Sequence, residues 1–132
     1  MKIIVAAIAF LTIPVFSAHA QIPVEKDPFH KVVFENEKVR ILDLSVSGSD
    51  TTTTHIHNAA SVVVFLTKSA VAIQSPGDAP VITPVESGNV VYRPYDLKPA
   101  THRVWSEGGS TMRCLVIEIK TDSIQSHQTN KK

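Results

Sequence analysis

The sequence holds one cysteine, Cys114, among its 132 residues, so no disulfide within the chain can hold it together. Charge of one sign is also lacking: 13 lysines and arginines stand against 12 aspartates and glutamates, a formal net charge of +1. Without a basic stripe there is no electrostatic footprint for nucleic acid or for an anionic membrane, since both need clustered cations. No helical periodicity of useful length appears, and no internal repeat marks a second domain. These absences leave a small molecule or another protein as the partner. They also leave strands and a hydrophobic core as the means of folding.

The longest apolar run, residues 3–16, is broken by Thr12 and Pro14 and falls short of the roughly 20 residues that cross a bilayer. Lys2 precedes it, and Ala18-His19-Ala20 follows with small side chains one and three positions before a cut. Residues 1–20 are therefore expected to be a signal peptide cleaved after Ala20, with an uncleaved anchor as the alternative. With neither a cysteine at the cut nor a twin arginine, the product is expected to be soluble, threaded out unfolded, and periplasmic or secreted. Cleavage removes Lys2 and no acid, leaving twelve basic against twelve acidic residues. A chain of 132 less 20, or 112 residues, is enough for one domain.

Residues 21–31, with Pro23 and Pro28, read as an extended lead-in. Strand candidates follow at 31–34 and 38–46, with a turn at 35–37, and then at 51–56, 61–67, 69–74, 81–83, 89–93, 102–106 and 111–120. Within 38–46 the apolar phase shifts between Ile41 and Leu42, which a β-bulge in that strand would reconcile. Seven of the eight prolines lie outside these runs or at their ends after residue 20, and all five glycines fall between runs. Such punctuation suits short antiparallel strands in a sandwich or barrel. Residues 121–132 are polar, without apolar anchors, and read as a flexible tail.

His55 and His57 are two apart, and a strand's period of two puts both imidazoles on one face. Two nitrogens side by side on a rigid strand can fill neighbouring corners of a metal's coordination sphere. The alternative is an exposed edge strand. His30 and His127, in the lead-in and tail, are given no role. Cys114 alternates with apolar neighbours and reads as a small buried hydrophobe. Trp105 has the opposite parity to His102 and is expected outside the lining. Acidic candidates for a general base, Asp50, Asp96 and Glu107, all lie in turns.

Gly48 before His55-Ile56-His57, then Gly88 with five residues between it and Pro94, then His102, together resemble the two motifs of the cupins. The likeness spans residues 32–120, within which Val39-Arg40-Ile41-Leu42-Asp43 and Arg113-Cys114-Leu115-Val116-Ile117-Glu118 resemble the family's flanking strands. The chain thus resembles an exported, small single-domain member of the RmlC-like cupin superfamily. The resemblance implies an all-β fold, a small antiparallel β-barrel or double-stranded β-helix of jelly-roll type. It also implies a metal held by His55, His57 and His102, one divalent transition ion among Fe, Mn, Cu, Ni and Zn. Imidazole accepts all five.

The motifs depart from the family pattern in five places, two of them a Gly48-to-His55 spacing one longer than usual and Ser106 where the family often has Asn. Ser61 or Val62 stands where the family has an acidic ligand, the glycine after Pro94 is replaced by Tyr95-Asp96, and His102 comes eight residues after Pro94. Ser61 is a candidate to hydrogen-bond a substrate, or simply a polar wall residue. His102 is either a ligand or the cap of a strand. Function is open between a metal-dependent enzyme on a small molecule, an oxygenase or isomerase, and a non-catalytic small-ligand binder that has lost its metal. Residues 61–66 are apolar on both parities, so something covers the outer face. Either residues 32–34 cover it or a second copy does, and a homodimer is expected.

Overall fold

The computed structural model describes residues 21–95 and 99–120. The expected signal peptide and tail lie outside them. Ten strands run in chain order: β1 (Ile22–Pro23), β2 (His30–Glu35), β3 (Val39–Val46), β4 (His55–His57), β5 (Ala60–Phe65), β6 (Ser69–Gln74), β7 (Val81–Val85), β8 (Val90–Arg93), β9 (Ala100–Glu107) and β10 (Met112–Ile119). They form two five-stranded sheets, β1-β4-β9-β6-β7 and β2-β3-β10-β5-β8. All pairings are antiparallel except that of β1 with β4. Among the described residues the one helical element is a 3-10 turn, Val24–Lys26, so the lead-in of the sequence reading holds a short strand, this turn and the start of β2.

Alternation decides which side chains enter the space between the sheets. On β10, Met112, Cys114, Val116 and Glu118 are buried while Arg113 and Ile119 are exposed. On β3, Leu42, Leu44 and Val46 point inward, and on β9 His102, Val104 and Ser106 do the same. Leu42 and Met112 are wholly buried in a core completed by Val63, Phe65, Val71 and others. Each such side chain contributes roughly 1.5–3 kcal/mol through burial. Cys114 belongs to this core, and burial pushes its thiol up to about 12, so it is neutral and inert. Trp105 lies on the other face of β9, donating to Glu107 Oε1 at 2.7 Å.

Two local expectations are corrected. The bulge is carried by β2 and not by β3: Val32 pairs with Leu42 but Phe34 with Ile41, leaving Val33 extra, while β3 stays in continuous register with β10. Ile41 is apolar on the outward parity because it belongs to an apolar row on the sheet's outer face. The threonine run, residues 51–54, is not strand. Thr52 instead ties to β9 by an N–H to the Val104 carbonyl at 2.9 Å and accepts the Val104 N–H on Oγ1 at 2.8 Å. That double tie, three residues before β4, aims the strand into the gap between the sheets.

Glycine is needed at two turns for different reasons. Gly88, between β7 and β8, has φ of 87°, where L side chains are strained, and Asn89 closes the turn by accepting the Glu86 N–H. A side chain at Gly48 would strike the backbone of Gly109, so the loop after β3 packs against the β9–β10 hairpin only because position 48 has none.

One row on the outer face of the second sheet is apolar across the sheet's width. Phe34, Ile41, Ile117, Val62 and Tyr92 follow from register as one row across all five strands. Phe34 is 49% and Tyr92 61% exposed. Residues 32–34, one option for covering this face, instead extend it as an edge strand.

Candidate metal centre

Four histidines meet between the sheets. His55 and His57 are both buried on β4, which disposes of the exposed-edge alternative. β9 runs beside β4 with His102 directly opposite His55, buried within the strand and not at its end. His30 opens β2 and is 5% exposed. Ring centroids lie 4.6 Å apart for His30 and His55, 4.8 Å for His55 and His102, and 5.0 Å for His55 and His57. The group whose ring nitrogens all lie within 4.8 Å of one another is His30, His55 and His57. His30, given no role from sequence, therefore stands inside the cluster, and His102 flanks that trio, its ring 5.0 Å from that of His57.

Three of the rings have one nitrogen held by oxygen. His30 Nδ1 lies 2.6 Å from Asp27 Oδ2, His55 Nδ1 donates to the Thr53 carbonyl at 2.8 Å, and His57 Nδ1 lies 3.4 Å from Glu118 Oε1. A carbonyl or carboxylate can only accept, so each Nδ1 carries a hydrogen and each Nε2 is the nitrogen left to bind a metal. That arrangement turns Nε2 towards a metal, and outer oxygens of this kind orient metal-binding imidazoles. His55 Nε2 is buried with no hydrogen-bond partner. An orphaned buried acceptor costs about 1–3 kcal/mol, a cost that a bound cation would offset.

Burial keeps two of the rings, His55 and His102, neutral. Burial, reinforced by His30, lowers the His55 value to about 4, and burial, reinforced by the neighbouring histidines and Arg93, takes His102 to about 2. Burial works to raise the carboxyl values of Asp27 and Glu118. The hydrogen bonds and charges of His30 for Asp27, and of His57 and Arg40 for Glu118, outweigh it and hold both below their ordinary values. The donor set fits a transition metal. Imidazoles on one ion at 2.0–2.1 Å lie at most about 4.2 Å apart, so small ring movements bring the trio within range.

A buried carboxylate, Glu118, adjoins the cluster. It comes from β10, is 3% exposed, and bridges His57 and Arg40, whose Nη1 lies 3.2 Å from Oε2. Its signal in the sequence was parity: it shares the inward phase of Met112, Cys114 and Val116. Ser61 faces inward beside it, paired in register with Glu118 on one side and Arg93 on the other. The four histidines, Ser61 and Arg93 line a cavity of about 20 Å³, with an apolar floor that includes Val63 and Met112. By that measure a water needs about 10–15 Å³, so there is room for about one water-sized group.

No protein-family model matches the sequence, and no curated protein does. Solved structures do match in shape. A cupin domain from Bordetella pertussis superposes with a TM-score of 0.62 at 22% identity, over 77% of this chain and 99% of the other. The fold is that of the cupins. An RmlC-like cupin family protein with a double-stranded β-helix fold from Methanocaldococcus jannaschii agrees, with a TM-score of 0.53 at 13% identity over 84% and 92% of the two chains. This cupin barrel brings His30, His55 and His57 close enough together to hold a metal ion.

Proposed function

We propose that the protein is an exported metal-dependent cupin that acts on a small molecule at a divalent transition ion held by His30, His55, His57 and His102. The observation that carries this reading is the set of fixed tautomers: Asp27, the Thr53 carbonyl and Glu118 each occupy one Nδ1 and leave an Nε2 to donate. A bound ion would supply Lewis acidity and a site for an exchangeable ligand. Neutral imidazoles leave its charge undiminished. Around it the chain's own groups have separate tasks. Asp27 and Glu118 orient rings, the apolar floor excludes water, and the Ser61 hydroxyl faces the space a ligand would take.

A non-catalytic binder is the second reading, favoured by one observation: the cavity of about 20 Å³ leaves little room for a substrate to turn over. Elemental analysis of untagged protein from the exported fraction tests the proposal. About one transition ion per chain is expected. A metal content near zero, unchanged by reconstitution, would leave the binding module as the function.

We also propose a homodimer through the outer face of the second sheet. Its support is the apolar row from Phe34 to Tyr92, half-buried along its middle and exposed at both ends.

A further inference from the structure

Arg93 is the one cation facing the cavity without a counter-ion among the described residues. It ends β8 on the inward phase, opposite Ser61, and lines the same cavity as the four histidines. The two buried carboxylates are already engaged, Asp27 with His30 and Glu118 with His57 and Arg40. Arg40, Arg103 and Arg113 each have an oxygen partner, whereas Arg93 has neither a hydrogen bond nor an ion pair to any described residue. Burial lowers its value, and the one group acting the other way is the Cys114 thiol, itself neutral. A guanidinium cannot shed its proton to escape this position. A half-buried cation with no partner among the described residues is costly, and a metal among neutral imidazoles would add two further positive charges to the same space.

We propose that Arg93 is the recognition residue for the carboxylate of a small organic acid, which bridges the guanidinium and the metal side of the cavity with the Ser61 hydroxyl between them. The proposal rests on the metal-site reading for its second anchor and on Arg93 alone for its first. Guanidinium presents a planar fork that pairs both oxygens of a carboxylate, which a neutral isostere cannot match. The apolar floor of Val63, Phe65, Val104 and Met112 suits a ligand with a short hydrocarbon part. Inorganic phosphate would have to shed much of its hydration against that floor. The cavity volume limits the part of the ligand that enters to a few atoms.

Calorimetric titration with acetate, acetamide and inorganic phosphate tests this on wild type, Arg93→Gln and Arg93→Lys, each metal-free and zinc-loaded. Acetate is expected to bind wild type and to lose about tenfold or more in affinity in Arg93→Gln in both forms, with part regained in Arg93→Lys. Acetamide should bind weakly and equally to all three. If wild type takes up no zinc, the metal reading fails, and the metal-free titrations still decide the role of Arg93. Acetate affinity in Arg93→Gln within twofold of wild type overturns the proposal, as does phosphate binding more tightly than acetate. Zinc content equal in the three proteins separates loss of the anion site from loss of the fold.

Discussion

His30 Nδ1 lies 2.6 Å from Asp27 Oδ2, and neither side chain reaches solvent. Three residues of chain make the pair: Asp27 caps the 3-10 turn, its carbonyl accepts the His30 N–H at 3.0 Å, and its other carboxylate oxygen accepts the Thr53 N–H at 3.1 Å. One carboxylate therefore fixes His30 on β2 and the chain leading into β4. Asp27→Asn keeps the shape but removes the charge that makes His30 a stronger donor. Metal affinity is expected to fall about 10–100-fold, read by competition with a chromogenic chelator. Unchanged affinity would show that Asp27 serves the fold alone.

The strands were legible because alternation and turn residues are local, and His55 and His57 because a period of two is local as well. His30 was not. Its neighbours Pro28 and Phe29 read as lead-in, and only the pairing of His30 with Leu44 carries it into the barrel. Glu118 was visible in principle as a charged residue on an inward parity, but its partners Arg40 and His57 are 78 and 61 positions away. The misplaced bulge has the same cause. A phase shift at Ile41 and Leu42 shows that two strands disagree, and pairing alone decides which of them carries the extra residue.

Acid should destabilise the metal-free protein well before its carboxylates titrate. Between about pH 6.5 and 4 the unfolded chain takes up a proton at His55 that the folded protein refuses, so stability falls as pH falls. His102 acts in the same direction and to lower pH. Asp27 and Glu118, with lowered values, stabilise above the ordinary carboxyl range and lose that contribution as pH falls through their folded values. His55 alone accounts for about 3 kcal/mol between pH 7 and 4. Urea midpoints should decline steadily over this range, and a midpoint at pH 4.5 equal to that at pH 7 would contradict the burial of neutral imidazoles.

Val64 sits on the outer face of the second sheet, paired with Leu115 on one side and Val90 on the other. Val64→Lys would put a charge into a dry contact if two copies pack there. Light scattering should then show a shift from dimer to monomer with the strand signature of circular dichroism retained. Wild type that is monomeric at high micromolar concentration would remove the dimer.

Metal retention by single histidine variants bears most directly on the centre. Protein reconstituted with excess iron, manganese, copper, nickel or zinc, then passed through gel filtration, should keep about one equivalent of at least one ion. His30→Ala, His55→Ala and His57→Ala should each reduce this to below about a tenth, with His127→Ala as the unaffected control. His102→Ala should weaken retention, because its ring flanks the trio across the β4–β9 pair. Wild type holding less than about a tenth of an equivalent of every ion, an order-of-magnitude threshold for a real site, would contradict the metal centre outright.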